Sequence, residues 1–294
     1  MDLQRDTEYI DLPVLLKGKV RNVYDLGDSL LLVVTDRISA FDVVFDELIP
    51  DKGVVLNSIS AFWFDYTKDV IKNHVISTNP EDYPMGLSQY ADRLRGRSMW
   101  VKKMKMLPVE CIVRGYLEGS ALKEYKESGT ISGLKQKEGL VQGDKLPSPM
   151  FTPSTKEEEG HDGNISYKEL EVLIGEDMAK QLSDASLALY EKASVYALSK
   201  GIILADTKFE FGMFDGELVI GDEMFTPDSS RFWALSDYQP GRAQKSFDKQ
   251  YLREWLESTD WDKTPPAPAL PEEVIQKTSE KYKQAYALLV GKEI

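Results

Sequence analysis

GIILADTKFEFG, residues 201–212, sets Asp206, Lys208 and Glu210 at alternate positions. In a strand every second side chain points to one face, so these three project together while Ile203, Ala205, Thr207 and Phe209 face the other way. Asp215-Gly216 turns the chain into GELVIGDEMFTPDSSRFW, which adds Asp222, Glu223, Asp228 and Arg231. Like charges opposed across a ladder repel. The natural occupant of such a face is a cation flanked by carboxylates, with Lys208 and Arg231 left for anionic groups, which is the chemistry of a magnesium-nucleotide site.

Outward from this hairpin, the region from Leu15 to Thr35 reads as two strands, GKVRNVYDL and SLLLVVT, around a Gly27-Asp28 turn. DRISAFDVVFDELIPDKG reads as a loop. Ile59, Phe62, Trp63, Tyr66, Val70 and Ile71 fall at helical spacing and predict a helix from Asn57 to Asn73. Strand character returns from Ser98 to Tyr116. Gly129 to Gly163 is rich in Gly, Pro and Ser and reads as an ordered loop. Ser166 and Glu169 form a capping-box pair, opening a long helix through Met178, Leu182, Leu189, Ala193 and Tyr196 that Gly201 closes. After Asp248 a helix with Tyr251, Leu252 and Trp255 leads to the proline-rich strap TPPAPALP, and a last helix runs from about Glu272 to Val290.

Strands and helices in this uneven order predict an α+β protein rather than a doubly wound sheet. GxxxxGK[ST] is missing, and so is GxGxxG after a strand, so nucleotide binding must use a scaffold other than the Walker or Rossmann type. The chain has 294 residues and is 42% hydrophobic, enough for a large core and for two lobes sharing a cleft. We place these lobes at residues 1–110, sheet-based, and 111–294, α+β. A net charge of −13 argues against a nucleic-acid partner. The single cysteine, Cys111, excludes an intrachain disulfide and fits a reducing, cytoplasmic setting. MDLQRDTEYIDLP lacks a signal-peptide core, and no apolar run reaches the ~18 residues of a membrane span, so no membrane role is expected.

Gly18-Lys19-Val20-Arg21 puts two cations on one strand face beside a glycine, a pattern that suits phosphate and also occurs on solvated strands. Asp36, Arg37, Ser39 and Asp42 follow a buried strand and suit either a turn or a binding loop. Arg114, with Ser120 shortly after, sits at a strand end where binding groups collect. His161 and His74 are too few for a zinc cage or a histidine triad. Cys111 alternates with apolar neighbours and reads as core. The basic run Arg93, Arg95, Arg97, Lys102, Lys103, Lys105 reads as solvated surface, with a minority role beside phosphates open for its second half.

Six long motifs together resemble one family: GKVRNVYDLGDSLLLVVTDRISAFD, VECIVRGYLEGSALKEY, FTPSTKEEEGHDGNIS, GIILADTKFEFG, GDEMFTPDSSRFW and SFDKQYLREWL. In this order, over nearly the whole chain, they are similar to the SAICAR synthetases (phosphoribosylaminoimidazole-succinocarboxamide synthases). The strap and the extended middle loop resemble the longer form of that family. The resemblance implies a two-lobed fold related to ATP-grasp proteins and kinases, with antiparallel sheets and a nucleotide cleft between lobes. It implies an ATP-dependent ligase, with Mg²⁺, that joins carboxyaminoimidazole ribonucleotide (CAIR) to L-aspartate through an acyl phosphate in purine synthesis. Positioning and charge neutralisation do most of the work in such chemistry.

By the same resemblance, Glu210 and Asp222 hold Mg²⁺, Lys19 and Arg21 lie along the ATP phosphates, and Lys208 neutralises the transferred phosphoryl group. Asp206 is assigned to the metal or to the reacting carboxylate. The adenine rests on the hinge from Lys103 through Met106 to Glu110. Arg114, Ser120, Asp228, Ser230 and Arg231 contact the ribonucleotide, with Lys249 and Arg253 as further phosphate ligands. Asp36, Ser39 and Asp42 go to the aspartate and second-metal region, and Asp162 to ordering the substrate loop. Two other readings compete: a small-molecule kinase of the inositol-polyphosphate type, on the same fold, and a non-catalytic nucleotide-binding regulator.

Register poses a definite question. A plain two-residue turn at Asp215-Gly216 sets Phe209 opposite Asp222 and leaves Glu223 on the face of Glu210. The resemblance pairs Glu210 with Asp222 instead, which predicts a three-residue loop or a bulge between them.

Overall fold

In the computed structural model, residues 3–156, 163–247 and 249–294 are described. The first sheet holds β1 (Val14–Lys17), β2 (Arg21–Asp25), β3 (Ser29–Val34), β6 (Val75–Ser77) and β7 (Ser98–Lys102), in the order β1-β2-β3-β7-β6. Between β3 and β6 lie a hairpin, β4 (Arg37–Ala40) and β5 (Val43–Leu48), and helix α1 (Lys52–Tyr66). A short α2 (Ala91–Leu94) precedes β7. The second sheet is built on β8 (Lys105–Tyr116), β11 (Lys145–Thr155), β12 (Ile202–Phe214) and β13 (Glu217–Gly221), in the order β11-β8-β12-β13, with β14 (Ser230–Ala234) also on β12. After β8 come α3 (Gly119–Ser128) and a small ladder of β9 (Thr130–Ile131) with β10 (Leu134–Lys135). Helices α4 (Tyr167–Ile174) and α5 (Glu176–Ser199) precede β12, and α6 (Gln250–Glu257) and α7 (Glu272–Val290) close the described chain.

All strand pairs in both sheets are antiparallel, as an α+β reading requires. The chain crosses from one sheet to the other at Lys103–Met104, ahead of the division drawn at residue 110, because β8 continues unbroken to Tyr116. One core joins the sheets. Leu32, Val34, Met99 and Val101 from the first meet Val109, Cys111, Val113, Phe209, Phe211 and Phe232 from the second, under Trp63 of α1 and Leu182 and Leu189 of α5. Each fully buried side chain of this size contributes about 1.5–3 kcal/mol.

Four local expectations need correction. The segment DRISAFDVVFDELIPDKG is a hairpin, with Phe41 and Asp42 both at positive φ in its turn. Helix α1 starts at Lys52, ahead of the expected Asn57, since its first turn is held from afar: the Gly53 N–H donates to the Asp36 carboxylate at 2.9 Å. The Gly/Pro/Ser-rich middle contains β11, whose Pro147, Pro149 and Pro153 are tolerated because an edge strand needs donors on one side only. The long helix is broken at Gly175, φ 88°, into α4 and α5. The Ser166–Glu169 capping box forms as expected, and Gly201 takes φ 77° just beyond the end of α5.

Candidate active site

The β12–β13 hairpin has the regular two-residue turn, with Phe214 opposite Glu217 and Glu210 opposite Gly221. The expected bulge between Glu210 and Asp222 is absent. Asp222 and Glu210 nevertheless line one cavity of about 280 Å³, because β13 stops at Gly221 and Asp222 takes a left-handed φ of 58° that turns its side chain out of the alternation. Gly221 itself is packed so closely that a Cβ there would lie 2.4 Å from the Met104 methyl. Glu223 swings away to accept from the Thr226 hydroxyl at 2.5 Å.

A second irregularity resets β12. Its ladder with β14 shifts between Leu204 and Asp206, so Leu204 joins the core of Phe209 and Phe211 while Ile203 and Ala205 pack separately with Trp233. Simple alternation through residues 203–209 therefore fails, although Asp206, Lys208 and Glu210 remain on the charged side. That side divides into two ends.

At the first end, Lys208 pairs with Glu110, Lys156 pairs with Glu210, and Arg21 pairs with Asp222 and lies 3.5 Å from Glu223. Burial pushes the Glu210 carboxyl up, the Asp222 charge adds to this, and Lys156 offsets part of it. Burial acts on Asp222 in the same sense, but Arg21, Lys208 and Lys156 outweigh it and hold that carboxyl below its ordinary range. Burial pulls the Lys208 ammonium down, and Glu110, Glu210 and Asp222 more than reverse it. The cavity wall beyond is apolar: Leu15, Leu16, Val23, Leu30, Leu32, Val101, Met104 and Met106. Such a slot fits a flat heterocycle beside a charged end.

The two carboxylates lining this cavity form a hard-oxygen pair. Magnesium characteristically takes one or two carboxylates and completes its shell with water and substrate phosphates, so Glu210 and Asp222 fit it. Among the described residues no group of three or more His, Cys, Asp or Glu side chains gathers as an all-protein metal cage.

At the second end, Arg114 lies 3.4 Å from Asp206, donates to Ser120 at 2.8 Å and to Thr152 at 3.0 Å, and Arg231 pairs with the same Asp206. Gly119, at φ 59°, leaves room for that guanidinium, since a Cβ would sit 2.6 Å from an Arg231 nitrogen. Ser230 bonds to Thr207 at 2.8 Å. Asp228 is buried among Lys52 at 2.8 Å, Lys249 at 3.2 Å and the Tyr282 hydroxyl at 2.5 Å. Burial pushes its carboxyl up, but Lys249 and Lys52 reverse this strongly and leave it well below the usual range.

Several expected residues sit elsewhere. Lys103 pairs with Asp25 at 2.9 Å and is not among the cavity-lining residues, where Lys102 stands instead. Asp36 is fully buried and accepts from the Gln4 amide at 2.8 Å, the Gly53 amide at 2.9 Å and Arg97 at 3.2 Å. Those bonds make it a structural tie. Asp42 pairs with Lys19 at the hairpin tip, and Ser39 lies on β4. Arg253 is half-buried on α6, and Asp162 lies outside the described residues. Sequence reasoning missed Lys156, Lys52, Tyr282 and His74. Each stands in a segment without charge alternation, so only the fold brings it to the site.

The model of the family described as SAICAR synthetase matches residues 14–268. The chain belongs to the SAICAR synthetase family. It is 56% identical over 292 residues to the phosphoribosylaminoimidazole-succinocarboxamide synthase of Geobacter sulfurreducens, covering 99% of each chain. Among solved structures, the SAICAR synthase of Saccharomyces cerevisiae complexed with SAICAR is similar over 100% of this chain and 99% of that one, with a TM-score of 0.88 and 39% identity. A SAICAR synthetase solved with ADP is similar over 95% of this chain and 98% of that one, at 26% identity and a TM-score of 0.71. Like its family, the chain is an ATP-dependent carbon–nitrogen ligase. The kinase reading is not favoured, since family and relatives alike are SAICAR synthases. No described helix is long and apolar enough to cross a membrane.

Proposed function

We propose that the apolar slot between Leu16, Leu32 and Met106 takes the adenine of ATP, that Glu210 and Asp222 hold the accompanying Mg²⁺, and that the Asp206–Asp228 end takes the ribonucleotide. The reaction joins the CAIR carboxylate to the amine of L-aspartate, giving SAICAR in purine biosynthesis. The observation that carries this placement is the meeting of Glu210 and Asp222 on one cavity with Lys208 poised between Glu110 and Glu210.

In our reading a carboxylate oxygen of CAIR attacks the γ-phosphorus and ADP departs. The aspartate amine then attacks the acyl carbon, the C–O bond to phosphate breaks, and the amine proton passes to solvent. Bound Mg²⁺ supplies charge neutralisation on the phosphates. Lys208, displaced from Glu110 by substrate, carries positive charge to the phosphoryl oxygens as negative charge builds there. Arg21 keeps Asp222 ionised, and Lys19 at the exposed β1–β2 turn reaches the outer phosphates. Arg114 and Arg231, held in place by Asp206 and Ser120, orient the ribonucleotide, with Ser230, Lys249 and Arg253 beside its phosphate. Ser39 and Asp42 remain on the aspartate side, and Asp36 acts there only through the start of α1. No enzyme nucleophile is required, and the Cys111 thiol is buried with its pKa pushed up by that burial. A cytoplasmic setting with small-molecule partners is consistent with this chemistry.

An assay with ATP, Mg²⁺, CAIR and L-aspartate tests the reading on Lys208→Ala and Glu210→Gln. Both variants are expected to fold and to lose turnover by about 10²–10³-fold. Normal activity in either sinks the assignment, and ADP formed from ATP at the full rate with CAIR but without aspartate would restore the kinase reading.

A further inference from the structure

Helix α7 lies beyond residue 268, where the match to the family model ends, yet it is locked into the second end of the site. The Tyr282 hydroxyl donates to Asp228 Oδ1 at 2.5 Å, while Lys52 and Lys249 take Oδ2 at 2.8 and 3.2 Å. The Lys52 ammonium also sits 5.6 Å from the centre of the Tyr282 ring. On the same helix, Ser279 donates to the Pro50 carbonyl at 2.8 Å and Lys283 pairs with Asp51 at 2.5 Å, so α7 grips the two residues just ahead of Lys52 at the start of α1. Tyr282 and Lys52 are fully buried.

We infer that Tyr282 is a positioning residue for the ribonucleotide, acting from α7 through Asp228 on Lys249 and on Ser230 and Arg231 at the head of β14. Two donors, Tyr282 on one oxygen and Lys52 on the other, with the Lys249 ammonium beside the second, fix the plane of the Asp228 carboxylate. With the Tyr282 hydroxyl gone, Oδ1 is a buried acceptor without that donor, and the carboxylate turns toward the two ammoniums. Lys249 and the chain entering β14 then lose their set positions. This inference rests on the ribonucleotide end being where we place it.

The experiment compares Tyr282→Phe with Tyr286→Phe, a hydroxyl deletion on the same helix away from Asp228. Tyr282→Phe keeps the ring and its packing. We expect its KM for CAIR, and its Kd for SAICAR by calorimetry without ATP, to rise about tenfold, the factor a lost charge-assisted hydrogen bond accounts for. Its KM for ATP stays at the wild-type value, its melting temperature falls by only a few degrees as a lost buried hydrogen bond requires, and Tyr286→Phe matches the wild type throughout. Wild-type CAIR and SAICAR binding in Tyr282→Phe overturns the inference, as does a fall in melting temperature with all KM values rising together. Arg231→Ala, run alongside, separates the two levels. Wild-type CAIR binding there removes the site placement itself, whereas weakened binding there with a silent Tyr282→Phe removes only the positioning role.

Discussion

The two ends of the charged face differ in balance. Around Asp206 and Asp228, four cations (Arg114, Arg231, Lys52 and Lys249) answer two carboxylates. At the open end of the β12–β13 hairpin, the ion pairs set three cations (Lys208, Lys156 and Arg21) against four carboxylates, Glu110, Glu210, Asp222 and Glu223. Surplus positive charge in a buried site is stabilised by an anion, and surplus negative charge by a cation. On the placement we propose, one strand carries both complements, a phosphate-bearing nucleotide at one end and a metal ion at the other.

The largest test of this contrast is Arg231→Lys. A guanidinium gripping Asp206 and a ligand together is planar and multidentate, and an ammonium is not. We expect kcat/KM for CAIR to fall about 10²-fold with the KM for ATP unchanged, as measured in steady-state assays. An equal loss for both substrates would merge the two ends into one site.

A middle-sized effect comes from His74, which lines the metal-end cavity and is buried beside Asp222. Burial, reinforced by Arg21 and Lys102 against Asp222, lowers its pKa to about 3. The unfolded chain binds a proton below about pH 6.5 that the folded chain refuses. Stability due to neutral His74 is therefore full above that pH and lost as pH falls toward 3, by up to about 1.4 kcal/mol per pH unit. Urea unfolding between pH 7 and 4 should show this slope in the wild type and a shallower one in His74→Gln. Equal slopes would place the proton elsewhere.

The smallest effect is expected at Lys103. Its partner Asp25 ends β2 and, like Lys103, is not among the residues lining the cavity, and half-exposed pairs of this kind contribute little. Lys103→Ala should change the KM for ATP by less than about twofold. A tenfold rise would return Lys103 to the nucleotide and shift the charge balance of the metal end.

Much of this was legible in the chain. Alternation in residues 206–210 exposes the charged face and the Ser166–Glu169 box marks a helix start, through contacts between near neighbours, whereas the plain Asp215-Gly216 turn overrules the bulge that the resemblance implies. Composition misled where a long-range partner overrode local preference. The prolines of β11 read as loop because their edge position depends on β8. The start of α1 was misplaced because its holding carboxylate, Asp36, comes from beyond the preceding hairpin.

By itself the sequence determined the α+β class, the alternating charges of β12 and, through six ordered motifs, the family. Those properties follow from the two-residue period of a strand and from residue identity. Tertiary structure alone decided how Asp222 reaches Glu210, which lysines surround Asp228, and that α7 closes on the site. The physical reason is that each depends on a backbone departure or a distant contact, namely a left-handed residue at the end of β13, a bulge before Asp206 and a hydroxyl arriving from the last helix. No local pattern encodes such meetings, because their energy resides in groups far apart along the chain.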